Sequence, residues 1–488
     1  MPVFNFVWTS VYHDSVTLMR LTRDLEAVAG VTRAAAMMGT APNRALLEDA
    51  GLLTATGRGA TPTDLVIAVV ADDEAAAQAG DRAARAQLTT RAGADASPRS
   101  ARPRSLGSAL TTTPDANLAL ISVPGVYAAA EAQRALRAGL HVMLFSDNVA
   151  LDDELALKQL ARERGLLLMG PDCGTALIAG VPLGFVNAVP RGRIGIAAAA
   201  GTGAQEVMSL IAQAGEGISH VIGVGGRDLS DAVGGLAMEQ ALAALSADNA
   251  TSVVCVIGKP PGSAAAKRID AQIARLGKPC VRHFVGSGSG SLEDCAREAV
   301  AQLRGETYRA SAFTVPDVDR VAGDARRRLR PEQRLVRGVY AGGTLAWEAR
   351  FMLEAALGVV APGVTGGGDG HRVVDLGEDV FTVGRPHPMI DGMVRREWIV
   401  REAREPATAV LLLDIVLGHG AHPDPAGELL PAIETATGRG LIVVASVVGT
   451  DLDPQHRSTQ VARLATAGVI VMPSNAQAAR LTARVVAG

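Results

Sequence analysis

Residues 194–206 read IGIAAAAGTGAQE, and residues 336–348 read VRGVYAGGTLAWE. Each stretch begins as a strand, turns at Gly-Thr and continues toward a helix, with alanine and glutamate at the same places of the pattern Gly-Thr-x-Ala-x-Glu. In both copies the next apolar strand ends in glycine and an acid, at residues 221–228 and 373–379. A repeat of this length and order predicts two homologous domains of one α/β type.

The rest of the chain supports a fold of several domains. Its 488 residues exceed what one hydrophobic core usually organises. Strands alternate with helices at the spacing typical of parallel, doubly wound sheets. We therefore predict an α/β protein with an N-terminal βαβ module and a further α/β domain in residues 1–189, the two repeated domains at 190–305 and 332–488, and a linker at 306–331.

Composition excludes several classes of partner. A net charge of −3 and 3% aromatic residues give neither the basic surface nor the stacking groups that nucleic-acid binding needs. The four cysteines lack the spacing of a zinc site, so reduced buried thiols and no metal are expected. The N-terminus shows neither a signal peptide nor an apolar span of about 20 residues. We expect a cytoplasmic protein without a membrane partner.

The repeated turn has the chemistry of an anion site. Glycine lets the backbone approach an anion, the threonine hydroxyl adds a donor, and free N–H groups at a helix N-terminus favour phosphate or carboxylate. A single copy is better explained as an ordinary strand-to-helix turn, but two matching copies favour phosphate or substrate binding. The predicted binding residues of the two turns are Gly201, Thr202, Gly203, Gly342, Gly343 and Thr344.

Further candidates follow other strand ends, where α/β sheets place their ligands. Lys259 can neutralise a phosphate, although an exposed turn lysine is nearly as good an interpretation. After Gly225 and Gly226, Arg227 is a candidate for orienting an oxyanion, and Asp228 is a candidate for orienting a backbone amide.

One histidine loop is the candidate catalytic segment. His387 lies between two prolines, and Arg385 beside it suits bidentate contact with phosphate or carboxylate. We predict that both residues act in substrate binding or proton transfer. The alternative is a histidine that fixes local loop structure.

Two other groups of reactive side chains are better explained structurally. His419 and His422 precede an acid, but nearby prolines and the lack of a third ligand favour a solvated turn over a metal site. Cys173, after Asp172, has no adjacent base, so a buried small residue is favoured over a nucleophile.

Several motifs together resemble the α-subunit of succinyl-CoA synthetase, and over its whole length the chain is similar to the FdrA protein family. The synthetase-like motifs are GPDC at 170–173, GRIGI at 192–196, the turn at 201–206 and VGGRD at 224–228. The FdrA-like motifs are MMGT at 37–40, FSDN at 145–148, MGPDCGT at 169–175, AGEGI at 214–218 and FTVGRPHPMID at 381–391. The resemblance implies a Rossmann-like domain of the CoA-binding type followed by two flavodoxin-like domains. It also implies acyl-phosphate chemistry at converging helix N-termini, with phosphate passing through a histidine.

The sequence departs from the synthetase pattern at three points. The loop at 258–266, which carries the phosphorylated histidine in the synthetase, reads GKPPGSAAA and excludes a phosphohistidine at that position. The glycine-rich turn that receives CoA is missing, which puts CoA binding in doubt. No ATP-grasp domain or Walker-type loop is present, so any nucleotide must come with another subunit. We therefore expect no cofactor within this chain.

Resemblance to FdrA proteins implies a subunit of an oxamate carbamoyltransferase in allantoin and purine catabolism. That enzyme converts oxalurate and phosphate to oxamate and carbamoyl phosphate, with companion subunits in an oligomer. One alternative is a subunit of an ADP-forming acyl-CoA synthetase, which predicts CoA-dependent turnover and a phosphoenzyme. The other is a non-catalytic scaffold that binds metabolites for active partners.

Overall fold

The computed structural model describes residues 1–11, 13, 15–94, 103–288, 290–363, 370–382 and 386–487. The chain divides into two compact units. The first comprises Met1–Thr112 with Val383–Pro386, and the second comprises Thr113–Thr382 with His387–Gly488. None of the described helices is both long enough and apolar enough to cross a bilayer.

The first unit is built on an antiparallel sheet in the order β1-β3-β2. Its elements are β1 (Val3–Trp8), α1 (Ser15–Glu26), β2 (Val31–Met38), α2 (Ala41–Asp49), α3 (Ala55–Arg58), β3 (Leu65–Ala71), α4 (Glu74–Ala94) and α5 (Leu106–Thr112). The strand-helix alternation predicted parallel pairing here, and that expectation was wrong. The nearly continuous apolar strand β3 is inserted between β1 and β2 and runs against both, a pairing that periodicity alone does not specify.

The second unit begins with a small parallel sheet in the order β4-β5-β6. Its elements are β4 (Leu118–Ile121), α6 (Gly125–Arg137), β5 (His141–Leu144), α7 (Leu151–Glu163) and β6 (Leu168–Met169). Helices alternate with these strands, as the sequence predicted.

A six-stranded sheet follows in the order β12-β11-β9-β10-β7-β8. Its elements, with the helices that follow, are β7 (Thr175–Ile178), β8 (Val181–Gly184), β9 (Arg191–Ala198), α8 (Gly201–Gln213), β10 (Ile218–Gly223), α9 (Leu236–Ala247), β11 (Val253–Gly258), α10 (Ser263–Ile273), β12 (Cys280–Phe284), α11 (Leu292–Arg304) and α12 (Val318–Arg327). Strands β9 to β12 are parallel, whereas β7 is antiparallel to both β10 and β8.

The last sheet is parallel throughout, in the order β14-β15-β13-β16-β17-β18. Its elements are β13 (Leu335–Tyr340), α13 (Gly343–Leu357), β14 (Val360–Pro362), β15 (His371–Asp375), α14 (Asp379–Thr382), α15 (Met393–Arg404), β16 (Thr408–Val416), α16 (Pro425–Gly438), β17 (Ile442–Val448), α17 (Arg457–Thr466), β18 (Ile470–Met472) and α18 (Asn475–Ala487).

The two six-stranded sheets contain the same arrangement, which confirms the repeated α/β fold. The order β10-β9-β11-β12 in one corresponds to β15-β13-β16-β17 in the other, with each repeated turn directly after the central strand. One hydrophobic core includes side chains from both sheets, among them Ile196 and Val336, and from the helices that follow them, among them Val207 of α8 and Leu345 of α13. Helices α8 and α13 are in contact within this core, so the two turns start from neighbouring helices.

Candidate functional site

The two Gly-Thr turns open helices α8 and α13 at the carboxyl ends of the central strands β9 and β13. The N-cap residues, Ala200 and Gly342, supply no side-chain hydrogen bond to either helix. Both helix N-termini therefore begin without the side-chain cap that usually satisfies the first N–H groups.

Each turn packs its threonine against a glycine of the other turn. A β-carbon placed on Gly203 would stand 2.8 Å from Cγ2 of Thr344, and one placed on Gly342 would stand 3.0 Å from Cβ of Thr202. The first distance is shorter than real β-carbons show, so a side chain at 203 would displace Thr344, and the second is tight enough that a side chain at 342 would push Thr202 aside. The glycines thus allow the two helix N-termini to meet.

The paired turns leave a set of hydrogen-bond donors without partners in the part of the chain that the structure describes. Across the described residues, no acceptor faces the hydroxyl of Thr202 or Thr344. The same holds for the backbone N–H groups of Gly201, Thr202, Gly203, Gly343, Thr344 and Leu345. Aligned peptide dipoles add partial positive charge at both helix starts. This arrangement can hold a multiply charged anion.

Gly342 does not have the predicted anion-binding role, because its backbone N–H already donates to a carboxylate. The carboxylate of Asp414 accepts the N–H groups of Ala341 and Gly342 at 2.9 and 2.8 Å. Arg395 donates to the same carboxylate at 2.9 Å. Gly342 therefore shapes the turn and permits close packing, while Gly343 and Thr344 offer the free donors.

Lys259 comes to the same place from the loop after β11. Its ammonium lies 4.9 Å from the ring centroid of Trp347, in the first turns of α13. The loop after β11 thus supplies a cation beside the second helix N-terminus.

Asp375, the last residue of β15, was missed by the sequence reasoning and lies at this site. Its Oδ2 stands 2.5 Å from the position a β-carbon of Gly343 would take, and its Oδ1 accepts the N–H of Gly377 at 2.9 Å. Burial raises its pKa to about 7, and the charge of Lys259 opposes that rise. An acid at the carboxyl end of a buried strand was the available signal.

His387 lies beside Asp375. Nε2 of His387 and Oδ1 of Asp375 stand 2.8 and 3.1 Å from the point where a β-carbon of Gly377 would be. Burial, aided by the charge of Arg395, lowers the pKa of His387 to about 4, so its ring is neutral at neutral pH. Arg385, its predicted catalytic companion, lies outside the described residues.

The segment after β10, residues 225–228, contacts residues outside the paired turns. Gly225 adopts φ +85° and would place a β-carbon 2.3 Å from the carbonyl oxygen of Pro171, while Gly226 faces Asp172. The guanidinium of Arg227 pairs with Glu154 at 2.9 Å. These contacts hold the segment against the neighbouring domain rather than against the paired turns.

Asp228 binds backbone amides, as the sequence predicted. It accepts the N–H groups of Ala237 and Met238, at the start of α9, at 3.0 and 2.9 Å. Its carboxylate also pairs with the fully buried Lys158 at 2.8 Å, and Glu154 pairs with the same ammonium at 2.8 Å. Glu154, Lys158 and Asp228 thus form a buried structural network, with the exposed Arg227 at its edge.

The remaining candidates have ordinary structural partners. His419 donates its backbone N–H to the carbonyl of Val186, and His422 accepts the N–H of Asp424 through Nδ1. Within the described ranges, no group of three potential ligands is placed to hold a metal ion. Burial raises the pKa of Cys173 to about 12, which keeps the thiol protonated and poorly nucleophilic.

Three protein-family models match the sequence. The family described as a CoA-ligase matches residues 339–485, and the CoA binding domain matches residues 191–284. The third, described as AllF, heavy metal-associated domain, matches residues 1–103. The paired turns therefore come from two regions that separately match CoA-ligase and CoA-binding families.

Several known proteins are similar to this chain. The uncharacterized protein YahF of Escherichia coli (strain K12) is 38% identical over 500 residues, covering 97% of this chain and 97% of YahF. The mitochondrial succinate–CoA ligase [ADP-forming] subunit alpha-2 of Trichomonas vaginalis is 32% identical over 181 residues, covering 36% of this chain and 57% of that protein. The apo dinucleotide forming acetyl-coenzyme A synthetase 1 of Ca. Korarchaeum cryptofilum covers 76% of this chain and 82% of its own at 16% identity and a TM-score of 0.30.

The heavy-metal description of the N-terminal family does not fit the donor atoms of this chain. Residues 1–103 contain no cysteine, and their only histidine is His13. All four cysteines lie between Cys173 and Cys295. Because soft metals select thiolate ligands, we assign no metal step to this unit.

Proposed function

Since this chain belongs to the family of the Escherichia coli protein YahF, we propose that it is an acyl-phosphate-handling enzyme subunit of the acyl-CoA ligase class. The observation that carries the proposal is the pairing of two uncapped helix N-termini through Thr202 and Thr344. A phosphoryl group between them would meet backbone donors from both helices and both hydroxyls.

The charges around the paired turns favour a substrate with a phosphoryl group next to a small acyl group. Lys259 supplies a cation for phosphoryl oxygens, and the ring of Trp347 lies 4.9 Å from its ammonium. Neutral His387 can donate a hydrogen bond to an acyl or phosphoryl oxygen without adding charge. Small carboxylic and carbamic acids activated as mixed anhydrides fit this chemistry.

Carbamoyl transfer is the second candidate, as in the FdrA resemblance. Two observations favour it over full CoA-ligase activity. The loop at 258–266 lacks the histidine that carries phosphate in the synthetase, and residues 1–103 match the family described as AllF. In this version phosphate attacks the carbamoyl carbon of oxalurate, carbamoyl phosphate forms, and oxamate leaves.

Companion subunits are part of the proposal in both versions. The sequence contains no ATP-grasp or Walker-type segment, so a ligase reaction would take its nucleotide from another chain. We further propose that the active form is an oligomer with such partners.

Calorimetric titration of the purified chain tests the proposal. We expect binding of phosphate and of either acetyl phosphate or carbamoyl phosphate, with affinity reduced at least about tenfold in the Thr202→Val, Thr344→Val double variant. Thr435→Val is the matched control, because its hydroxyl bonds only to the Pro431 carbonyl on the exposed face of α16. Binding of CoA alone, with both phosphate compounds silent, would contradict the proposal.

Activity assays with the co-expressed companion subunits separate the two candidates. Phosphate-dependent cleavage of oxalurate supports carbamoyl transfer. CoA-dependent acyl phosphate turnover with a labelled phosphoenzyme supports the ligase reaction.

A further inference from the structure

The carboxyl group of Asp375 lies against the first turn of α13. Its Oδ2 is 2.5 Å from the place a β-carbon of Gly343 would take, so it faces the helix start where an anion is expected. Its Oδ1 accepts the N–H of Gly377, whereas none of the described residues donates to Oδ2. One carboxyl oxygen is thus fixed by the protein, and the other is directed at the proposed site.

His387 completes the pair next to Gly377. Its Nδ1 accepts the N–H of Met389 at 3.2 Å, which leaves the proton of the neutral ring on Nε2. Nε2, Oδ1 of Asp375 and the carbonyl oxygen of Ala341 stand 2.8, 3.1 and 2.9 Å from one point, the missing β-carbon of Gly377. A side chain at position 377 would separate these three groups.

The surroundings of Asp375 oppose a negative charge on it. Glu378, on its own segment, and Asp414, on β16, both raise its pKa, and burial contributes most. Lys259, from the loop after β11, acts in the opposite direction. Arg395 pairs with Asp414 at 2.9 Å, and His387 is neutral, so neither places a free positive charge on Asp375.

We propose that Asp375 is a catalytic residue of the acyl-phosphate site, whose acid form donates a hydrogen bond to a phosphoryl oxygen held at α13. His387 stands beside it as a second hydrogen-bond donor, through Nε2. The inference rests on the proposed function and specifies the proton that accompanies the substrate. A carboxylate and a dianionic phosphoryl group would compete for the same positive helix end, so the anion binds together with one proton.

Sulfate is the probe that tests this coupling, because its charge is constant between about pH 5 and 9. In the wild-type chain we expect sulfate affinity to be steady near pH 6 and to fall about tenfold per pH unit once pH passes the Asp375 pKa of about 7. The Asp375→Asn variant keeps a hydrogen-bonding side chain of the same shape but does not titrate. Its sulfate affinity should change less than about twofold over that range. Calorimetry in two buffers of different ionisation enthalpy should show uptake of one proton by the wild type at pH 8 and none by the variant.

Glu434→Gln is the matched control, since it removes an exposed carboxylate near the end of α16, toward the opposite edge of the sheet. It should retain the wild-type pH profile.

If Asp375→Asn unfolds, proton uptake by the wild-type chain alone still decides the question. Sulfate binding that is independent of pH in the wild type, or a retained slope in a folded Asp375→Asn variant, overturns the role of Asp375 and leaves the anion site standing. No binding of sulfate or phosphate at any pH overturns both proposals.

Discussion

The carboxyl group of Glu206 accepts the backbone N–H of Asn475 at 2.9 Å, although 269 positions separate the two residues in the sequence. Asn475 is the first residue of α18, so the glutamate of the first repeated turn caps the last helix of the other repeat. Glu348, the equivalent glutamate of the second turn, accepts the N–H of Leu292 at the start of α11 at 2.7 Å. The shared spacing within the two motif copies thus serves a reciprocal cap between domains, and the proposed anion site lies one turn earlier.

Removing the cap should weaken the joint core. We predict that Glu206→Ala lowers the free energy of unfolding by about 1–3 kcal/mol at pH 5, because it leaves a buried N–H without an acceptor. Glu206→Gln should retain most of the stability, since burial raises the pKa of Glu206 to about 8 and the native group is neutral at pH 5. Chemical denaturation of the three proteins measures both values. Equal losses in the two variants would contradict this account of the cap.

The same carboxyl makes stability depend on pH. Its pKa is higher in the folded chain, about 8, than the ordinary value of 4.5, so its contribution is complete at low pH and is lost as pH rises between these values. We predict that the melting temperature of Glu206→Gln rises relative to wild type as pH increases from 5 to 9. Melting curves across this range measure the difference. A difference that is constant with pH would show that Glu206 is not buried in its acid form.

The buried Lys158 cluster gives a separate prediction. Its ammonium bonds to Asp228 and Glu154, both at 2.8 Å, and to the carbonyl of Val224 at 3.1 Å. Lys158→Met leaves the buried Asp228 without its cation and Glu154 with only the exposed Arg227, so we expect a loss of about 3–5 kcal/mol in unfolding experiments. The exposed Lys267→Met control should stay within about 0.5 kcal/mol of wild type. A neutral result for Lys158→Met would mean that Arg227 alone balances the cluster.

His387 should not titrate in the physiological range. Burial lowers its pKa to about 4, and the N–H of Met389 occupies Nδ1, so the ring stays neutral with its proton on Nε2. NMR of the histidine ring signals should show constant chemical shifts for His387 from about pH 5.5 upward, with His387→Gln used for assignment. A midpoint near the ordinary value of 6.5 would place the ring in water and remove it from the proposed proton pair.

Local sequence patterns predicted much of this molecule, because strand and helix periodicity and the Gly-Thr turns are encoded in short stretches. The turn at Gly201 and its copy at Gly343 open helices at strand ends, as expected. Asp228 binds backbone amides, as the glycines before it indicated. Repetition alone also predicted that both domains share one arrangement of strands.

Such local patterns do not predict contacts between residues that are distant in the sequence. Nothing in the local sequence indicates that Thr202 meets Gly342, that Glu206 caps the helix at Asn475, or that Asp414 occupies the amide of Gly342. Asp375 was overlooked because an acid after an apolar strand is common, and only its neighbours Gly343 and Gly377 give it a distinctive position.

A crystal structure of the chain grown with phosphate will show whether the two helix N-termini form one phosphoryl site. We predict a single phosphate with oxygens within hydrogen-bonding distance, about 3 Å, of the hydroxyls of both Thr202 and Thr344. A phosphate bound at one helix alone, or only at a site away from both threonines, would contradict a single shared site.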